Sequence, residues 1–535
     1  MAATDLSRRQ FLKRMGSLGG LGAAYYGMGH FGLLPPARAY AGPPQFDQHI
    51  GKGQHIAILG AGIAGLCAAY LLRNTQFKVT IIEPNPYVGG RCLTLRRGDT
   101  VVEQNVDHRG NPFQPVICEF DRGPDVYLNA GPGRIPQSHT AILGYCKQLK
   151  VKLQPFIFAS RSNLLQNDDY NRGKPVPLRW VKHDLRGHIA DIMARITAND
   201  QIDQFVRPEN RGAFLRLVKH FGSLRGSDES LKYIGSRRSG WARKPGAGTT
   251  RGVLREPFDL NEILESGVWQ TGLFSDMYLY WQSSLMQAAG GMDHIPRALE
   301  DSLGQNASIQ LNSKADGISR TAEKIFIEHS GVEKPLAADY CISTMAPPLL
   351  SGLLDDSFAP DFKTALANAY MVSACKVGWQ AGRRFWEEEN EIYGGISWTN
   401  HPISQIWYPS HGFHSQKGIL IGAYMFGRTA RNFGLMPHKE RLATALEGGE
   451  KLHPGFFRQN VEKGVSIAWQ NMPGQAGGWA YYRNQAENPD YLTINKPQGR
   501  LLLAGDYFSY LSGWMEGAVL SAELAVKRIA RMATN

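Results

Sequence analysis

Short apolar runs that end at a glycine or an acidic residue set the pattern of hydrophobic and polar positions along the chain. Residues 55–59 are apolar, partly β-branched and stop at Gly60, which predicts a buried strand. Residues 63–73 predict a helix, and residues 78–83 predict a second strand that ends in an acid, Glu83. Together the three elements predict a βαβ unit of about thirty residues.

The loop Gly60-Ala61-Gly62-Ile63-Ala64-Gly65 has the G-x-G-x-x-G spacing of a dinucleotide site. Gly60 makes the tight turn, Gly62 lets a pyrophosphate approach the backbone, and Gly65 lets the helix pack closely on the strand. Amides at the helix start face the phosphates, and Glu83 accepts hydrogen bonds from the adenosine ribose. This pattern by itself leaves NAD and FAD open. The residues predicted to contact the dinucleotide here are Gly60, Gly62, Ile63, Ala64, Gly65, Glu83 and Pro84.

A similar strand–glycine–acid pattern occurs near the other end of the chain. Residues 500–504 predict a strand that leads into Gly505 and Asp506, and a helix opens at Gly513. Residues 338–344 predict one further buried strand. Because more than 400 residues separate the two patterns, we expect one α/β domain to be assembled from distant segments.

Length, composition and charge narrow the class of protein. A chain of 535 residues is too long for one small core, so two or three interleaved domains are expected. A hydrophobic content of 43% is that of an ordinary soluble globular protein. Of the formal net charge of +12, +4 lies in residues 1–41, and the basic residues are scattered rather than interleaved with aromatics. This distribution argues against nucleic-acid binding.

The first 41 residues have the pattern of an export signal. Ser7-Arg8-Arg9-Gln10-Phe11-Leu12-Lys13 resembles the twin-arginine signal, and a mild apolar run follows over residues 15–34. The alternative, an uncleaved anchor helix, is weakened by seven glycines in that run. Ala37-Arg38-Ala39 and Ala39-Tyr40-Ala41 both offer small residues for cleavage. We therefore expect a periplasmic or secreted protein with no stable membrane span.

The cysteines carry no sign of a metal or redox motif. The six cysteines are Cys67, Cys92, Cys118, Cys146, Cys341 and Cys375. They show neither a CxxC pair nor metal-ligand spacing, so we expect most of them to be small core residues. No metal site is predicted.

Two motifs identify the dinucleotide as FAD through resemblance to a known family. Val88-Gly89-Gly90-Arg91 is similar to the GGR signature of the FAD-dependent flavin amine oxidases, in which the arginine contacts the pyrophosphate. Residues 504–518 resemble the family's second flavin motif, in which the acid holds the ribityl chain and the helix start stabilises charge on the reduced flavin. Residues 290–296 resemble its GGMD turn, and Ala315 falls where the family contacts adenine through the backbone. The resemblance implies non-covalent FAD, with contacts from Gly90, Arg91, Gly131, Pro132, Gly133, Arg134, Ala315, Gly505, Asp506, Gly513, Trp514, Met515, Glu516 and Ala518.

Within this family the chain most resembles the L-amino-acid oxidases. Gly131-Pro132-Gly133-Arg134-Ile135-Pro136 is similar to their GPMR-[LI]-P segment, whose arginine binds the substrate α-carboxylate. A planar guanidinium suits a carboxylate because it donates two parallel hydrogen bonds. The methionine of that segment is Gly133 here, which predicts extra room near the flavin or a different backbone shape. In Gln405-Ile406-Trp407-Tyr408-Pro409, Tyr408 takes the place of a family tyrosine that shares the carboxylate.

The resemblance implies further site residues. Lys376, in Cys375-Lys376-Val377-Gly378, takes the place of a lysine that holds a water against flavin N5. A lysine among apolar strand residues is otherwise costly to bury. Gly513 and Trp514 are expected to contact the substrate, as is Trp469, for which a core position remains open. The predicted catalytic residues are Lys376, Arg134 and Tyr408, and no histidine is assigned as a base.

The resemblance also implies a fold and a domain order. The expected class is α/β, with a Rossmann-like FAD-binding domain built from distant segments, a substrate domain with a mixed β-sheet, and a helical insert. After the signal, residues 42–149 are expected to hold the first FAD-binding segment and the start of the substrate domain. The later segments are 150–270 (helical insert), 271–350 (second FAD-binding segment), 351–494 (substrate-binding domain) and 495–535 (last FAD-binding segment). A homodimer or larger assembly is expected.

The activity implied is oxidative deamination of L-amino acids. Hydride passes from Cα to flavin N5, and the amino acid and oxygen yield a 2-oxo acid, ammonia and hydrogen peroxide. A decarboxylating 2-monooxygenase similar to tryptophan 2-monooxygenase and an amine or polyamine oxidase remain alternatives. A further alternative is a protein that binds flavin without catalysing a reaction. Lys376 and the two predicted carboxylate-binding residues argue against it. The sequence does not determine which amino-acid side chain the substrate carries.

Overall fold

A five-stranded parallel sheet organises the first layer of the molecule. The computed structural model describes residues 40–199, 201–202, 204–228, 230–282, 284–330 and 332–534, so the predicted export signal lies outside the described residues except for positions 40 and 41. In spatial order the strands are Ala307–Gln310, Lys78–Ile82, His55–Leu59, Tyr340–Ser343 and Leu501–Leu503. Ile58 of the central strand pairs in parallel with Ile81 on one side and Ile342 on the other. The predicted α/β layer built from distant segments is confirmed.

Alternate side chains of the central strand face two different hydrophobic cores. Ile56 and Ile58 pack into one core and Ala57 and Leu59 into the other, because successive side chains of a strand point to opposite faces. The first core contains the helices Ile63–Leu72, Thr140–Gln148, His294–Asp301 and Met515–Thr534. The second contains the small sheet Ala315–Arg320, Ile325–His329 and Leu336–Ala338 and the helices Pro347–Ser351, Pro360–Ala367 and Pro489–Ile494. Coverage of both faces explains why these strands are almost entirely apolar.

A seven-stranded mixed sheet forms the second layer. Its strands, in spatial order, are Val176–Pro177, Leu164–Gln166, Gly395–Thr399, Gln405–Tyr408, Gly418–Phe426, Ala374–Ala381 and Val461–Ala468. The associated helices are Phe385–Glu388, Gly427–Gly434, His438–Leu452 and Phe457–Asn460. Smaller sheets are formed by Ile135–Pro136, Leu285–Ala288 and Leu153–Phe156, and by the pairs Thr94–Leu95 with Leu128–Asn129, Thr100–Val101 with Val116–Ile117, and Tyr370–Val372 with Trp479–Tyr481.

In the described part of residues 150–270, the region predicted as a helical insert, there are three helices and several short strands. The helices are Leu178–Ala198, Arg211–Gly222 and Leu260–Glu265, and a hairpin pairs Trp241–Arg243 with Val253–Leu254. The first two strands of the seven-stranded sheet also come from this range.

Short 3₁₀ turns occur at Asn171–Gly173, Pro208–Asn210, Val268–Gln270, Ser275–Met277, Leu279–Trp281, Trp469–Asn471 and Asp506–Phe508.

The cysteines agree with the sequence expectation. All six cysteines are free and buried, as predicted for small core residues. Within the described ranges no helix is both long enough and apolar enough to cross a bilayer. The same part of the chain contains no cluster of histidine, cysteine and acidic side chains with the arrangement of a metal site.

Candidate active site

A cavity of about 840 Å³ lies between the carboxyl ends of the parallel strands and the seven-stranded sheet. Leu59 and Ile82 line it from the first layer, and Ala374 and Tyr424 line it from the second. Most of the predicted cofactor residues meet on its wall, although they come from distant parts of the chain. They are Gly60, Gly62, Ile63, Ala64, Glu83, Pro84, Gly90, Arg91, Gly131, Pro132, Ala315, Gly505, Asp506, Gly513, Trp514, Met515 and Ala518.

The glycine loop has the close approaches that its motif predicts. A Cβ atom on Gly65 would lie 2.0 Å from the carbonyl oxygen of Gly60, so only glycine lets this helix pack against the turn. Gly60 itself has φ +104°, a conformation that side chains disfavour. A Cβ on Gly62 would meet no protein atom within 4 Å, so the backbone there is open toward the cavity. The loop therefore leaves room for a ligand against the helix start.

Glu83 is held rigidly at the cavity wall. One carboxylate oxygen accepts a hydrogen bond from the backbone N–H of Ala61 at 2.8 Å. The other accepts from the backbone N–H of Asn85 at 2.9 Å and from its side-chain amide at 2.7 Å. Burial raises the pKa of the Glu83 carboxyl, and these hydrogen bonds oppose that shift. The carboxylate is thus placed before any ligand arrives.

Arg91 and Asp506, predicted on two separate flavin motifs, form an ion pair on the cavity wall. Arg91 also donates to the carbonyl oxygen of Gly478, and its Cζ lies 4.2 Å from the ring centroid of Tyr507. Asp506 also accepts a hydrogen bond from the backbone N–H of Gly513 at 2.8 Å. The two motifs are therefore brought into direct contact by the fold, 415 residues apart in sequence.

The side chain of Glu516 binds a neighbouring helix. Its carboxylate accepts hydrogen bonds from the backbone N–H groups of Ala141 at 3.0 Å and Ile142 at 2.8 Å. The side chain thereby caps the helix Thr140–Gln148 and is buried away from the cavity. The Glu516 side chain therefore points away from the cavity, because the free amides of a neighbouring helix bind its carboxylate.

Gly133 also differs from the expectation. A Cβ atom there would lie 2.9 Å from Cζ3 of Trp407, so the indole ring occupies the space that a longer side chain would take. Gly65, Gly133 and Arg134, which were also predicted to contact the cofactor, do not line the cavity. The extra room predicted at position 133 is therefore filled by an aromatic ring.

Arg134 lies in a ring of aromatic side chains. Its Cζ is 4.9 Å from the centroid of Trp407, 5.4 Å from Phe158 and Trp281, and 5.5 Å from Trp514. Among the described residues no carboxylate pairs with this guanidinium, and its Nε is buried without a hydrogen-bond partner. Burial lowers the pKa of Arg134 to about 10, so it is charged at neutral pH. A cation in such surroundings is stabilised if a ligand brings the missing anion.

Tyr408 cannot share a carboxylate with Arg134. Its hydroxyl donates to Ser397 Oγ at 2.8 Å and lies 2.6 Å from Nε2 of His453, and the residue is 2% exposed. Its neighbour Trp407 faces Arg134, and side chains alternate along a strand, so Tyr408 points to the opposite face. This prediction is wrong.

Tyr424, on a neighbouring strand of the same sheet, lies on the face that Tyr408 was expected to present. It lines the cavity, and its ring lies 5.2 Å from that of Trp407, the indole that also contacts Arg134. Burial raises the pKa of its hydroxyl to about 12, so it remains a donor at neutral pH. The available sequence signal was a single tyrosine in the apolar strand Gly418–Phe426, which needs the strand pairing to be interpreted.

Lys376 is buried among the strands of the seven-stranded sheet. It is 1% exposed, and its Nζ donates to the carbonyl oxygens of Asn129, at 2.9 Å, and Gly131. Burial, with the charge of Arg134, lowers the pKa of Lys376 to about 7. The lysine lies behind the cavity wall at Gly131 rather than on it. Both its protonated and its neutral form are therefore accessible near neutral pH.

Trp469 and Trp514 both line the cavity. The indole N–H of Trp469 donates to the carbonyl oxygen of Ala130 at 3.0 Å, which orients the ring. Trp514 packs edge-on against His139, with ring centroids 4.8 Å apart. Trp479 lies on the same wall, and a Cβ atom on Gly513 would lie 3.3 Å from its ring.

The parallel α/β layer, the glycine loop and the aromatic cavity define a dinucleotide-dependent redox enzyme. The chain belongs to the family of flavin containing amine oxidoreductases, whose model matches residues 63–530. It is 26% identical over 501 residues to an L-amino-acid oxidase of Siganus canaliculatus, covering 90% of this chain and 86% of that protein. It is 27% identical over 508 residues to an L-amino-acid oxidase of Mus musculus, covering 89% of this chain and 71% of that protein.

Solved structures show the same fold. Cyclohexylamine oxidase from Brevibacterium oxydans IH-35A matches with a TM-score of 0.58 and 17% identity, covering 90% of this chain and 100% of that one. The family's flavin fits the residues described above. A Cβ on Gly90 would lie 3.3 Å from Cα of Gly62, so two glycine backbones meet on the cavity wall where a phosphate group needs close approach.

Proposed function

We propose that this protein oxidises L-amino acids to 2-oxo acids with non-covalently bound FAD. The overall reaction takes one amino acid, one oxygen and one water and releases a 2-oxo acid, ammonia and hydrogen peroxide. The observation that carries the proposal is the Arg134 guanidinium, which is charged, has no carboxylate partner in the described structure, and contacts Trp514 on the cavity wall. A substrate carboxylate would supply the missing anion.

The protein's own residues bind and orient the substrate. Arg134 would bind the carboxylate, with the hydroxyl of Tyr424 as a further donor from the cavity wall. The rings of Trp469 and Trp514 narrow the space and exclude water, which strengthens the ion pair. When bound, the flavin supplies the hydride acceptor. The protein contributes orientation of Cα–H by holding the substrate at one end.

Lys376 can hold or accept a proton at Nζ. Because two backbone carbonyls fix this atom, its position changes little between the two protonation states. Its lowered pKa of about 7 allows proton exchange near neutral pH. We assign it a role in positioning water and in the reoxidation of the reduced cofactor.

Non-covalent binding agrees with the side chains around the cavity. No histidine occurs among the residues that line it, and its cysteine, Cys92, donates its thiol to the carbonyl oxygen of Met292 at 3.2 Å. Burial raises the pKa of Cys92 well above its ordinary value, so it is a poor nucleophile. Acid precipitation should release the flavin into the supernatant.

The carboxylates of the cavity disfavour a diamine substrate. Glu83 is engaged by Ala61 and Asn85, and Asp506 is engaged by Arg91. These are the acidic residues that line the cavity, so the described wall offers no free carboxylate for a second ammonium group. This observation favours an amino acid over a polyamine.

A substrate panel tests the proposal. L- and D-amino acids, cyclohexylamine and putrescine are compared by peroxide release, with product analysis by mass spectrometry. We expect 2-oxo acids from L-amino acids and a loss of kcat/KM of at least about 100-fold in Arg134→Leu, partly recovered in Arg134→Lys. Amine oxidation that survives Arg134→Leu would identify an amine oxidase instead. An amide with carbon dioxide as the product would identify a monooxygenase.

A further inference from the structure

Tyr40, at the end of the predicted export signal, is bound to the folded enzyme. Its hydroxyl donates a hydrogen bond to the carboxylate of Glu523 in the helix Met515–Thr534. Glu523 is 4% exposed, and the hydroxyl of Tyr145 lies 3.4 Å from the same oxygen. Burial and the neighbouring carboxylate raise the pKa of Tyr40, so its hydroxyl remains a donor. Residue 40 is thus a donor to a buried carboxylate 483 residues away, whose other oxygen pairs with Lys527 at 3.3 Å.

The ring of Tyr40 fits a slot in the helix Thr140–Gln148. A Cβ atom on Gly144 of this helix would lie 2.7 Å from Cδ1 and from Cε1 of Tyr40, which is closer than a side chain tolerates. Glycine is unfavourable inside a helix because of its backbone entropy, so its presence here agrees with the close approach of the ring. Tyr40 also packs against the hydrophobic core that contains the helices of the first layer.

The sequence contains two candidate cleavage sites, and only one of them leaves Tyr40 in the mature chain. Cleavage after Ala39 uses the small residues Ala37 and Ala39 and leaves Tyr40 in the mature chain. Cleavage after Ala41 uses Ala39 and Ala41 and removes Tyr40. Its removal would empty the slot at Gly144 and take a donor from a buried carboxylate, and both changes are unfavourable.

We propose that the leader is cleaved between Ala39 and Tyr40, and that Tyr40, docked on Glu523 and Gly144, is the first residue of the mature enzyme. The reaction is hydrolysis by a signal peptidase of the exporting cell. Water adds across the peptide bond, leaving a carboxylate on Ala39 and an ammonium group on Tyr40. Cleavage at this bond does not depend on the proposed oxidase activity. A mass measurement therefore tests the cleavage site separately from that activity.

The mass of the exported protein tests the proposal directly. The full chain is expressed with its own leader in a bacterium that has the twin-arginine route, and the protein outside the inner membrane is analysed by intact mass and N-terminal sequencing. An N-terminus at Tyr40 is expected. An N-terminus at Gly42, retention of the leader, or a chain that stays uncleaved inside the cell would each overturn the proposal.

A matched pair of variants separates the two cleavage sites. Ala37→Gln enlarges a position used only by the first site, and Ala41→Gln enlarges one used only by the second. We expect Ala37→Gln to slow processing at least several-fold and Ala41→Gln to leave its rate unchanged. The reverse result would contradict cleavage after Ala39.

Docking of Tyr40 is tested in the purified exported protein. Tyr40→Phe removes the donor to Glu523 and should lower Tm by roughly 1–3 °C, whereas Tyr40→Ala also empties the slot and should lower it further. The exposed Lys52 lies on the same N-terminal segment, and Lys52→Ala serves as the control with no shift expected. Equal Tm values for all four proteins would show that the retained tyrosine does not anchor the N-terminus and would overturn the proposal.

Discussion

Lys376 and Tyr424 lie directly opposite each other on the adjacent antiparallel strands Ala374–Ala381 and Gly418–Phe426. The Nζ atom of the lysine is 4.5 Å from the centroid of the tyrosine ring. Tyr424 lines the cavity, whereas Lys376 is 1% exposed behind it. The tyrosine ring therefore lies between the buried ammonium group of Lys376 and the cavity in which a substrate is expected to bind.

The lowered pKa of Lys376 predicts how stability depends on pH. Its value falls from 10.5 in an unfolded chain to about 7 in the folded protein, so between these pH values the unfolded chain binds more protons. The free energy of unfolding contributed by this residue should therefore increase as pH rises from about 7 to 10.5. Lys376→Met should remove that increase. Tm values measured across this range in both proteins test it, and parallel curves would contradict the burial of an ionisable lysine.

Tyr424→Phe should change substrate affinity, whereas Tyr408→Phe should change stability. Tyr424→Phe removes a donor from the cavity wall and should raise KM for an L-amino acid about 10-fold, with little change in Tm. Tyr408→Phe leaves Ser397 and His453 without their shared partner and should lower stability by about 1–2 kcal/mol with KM unchanged. Steady-state kinetics and thermal unfolding distinguish them. A large KM effect confined to Tyr408→Phe would restore the sequence-based assignment.

Gly133→Ala should disturb the contact between Trp407 and Arg134. The added methyl group would lie 2.9 Å from the indole ring, and overpacking of this kind costs about 1–3 kcal/mol. We expect kcat/KM for an L-amino acid to fall, because the ring that contacts the guanidinium must move. Gly212→Ala is the matched control, since its Cβ would meet only the end of a flexible arginine at 3.5 Å on an exposed helix. Unchanged kinetics in Gly133→Ala would show that Trp407 does not position Arg134.

Substitutions of Glu516 and Asp506 should have different effects, because the Glu516 side chain caps a helix and Asp506 lies on the cavity wall. Glu516→Ala leaves two buried N–H groups of the helix Thr140–Gln148 without an acceptor and should lower stability by about 1–3 kcal/mol. Its flavin affinity should stay close to that of the wild type. Asp506→Ala removes a group on the cavity wall and the partner of Arg91, so flavin affinity should fall at least about 10-fold. Fluorescence titration of free FAD against each protein checks both, and loss of flavin in Glu516→Ala would contradict the cap.

Much of the first layer was predictable from the sequence because its signals are local. The strand His55–Leu59 and the helix Ile63–Leu72 match the predicted ranges closely, and the strand Lys78–Ile82 ends one residue earlier than predicted. Apolar continuity and glycine position depend on neighbouring residues alone. Even the joining of distant segments followed, because each segment carried its own recognisable motif.

The assignment of individual side chains to the site needed the tertiary structure. Tyr408 and Trp407 are adjacent in sequence and face opposite sides of the same sheet, and only the pairing of distant strands decides which side meets Arg134. Glu516 opens a helix whose first turn faces the cavity, yet its carboxylate binds amides 375 residues away. The sequence by itself therefore determined the layer, the cofactor motif and the residue types that gather around it. Tertiary structure decided which of those side chains point into the cavity, because side-chain direction depends on register and packing between segments that no local pattern relates.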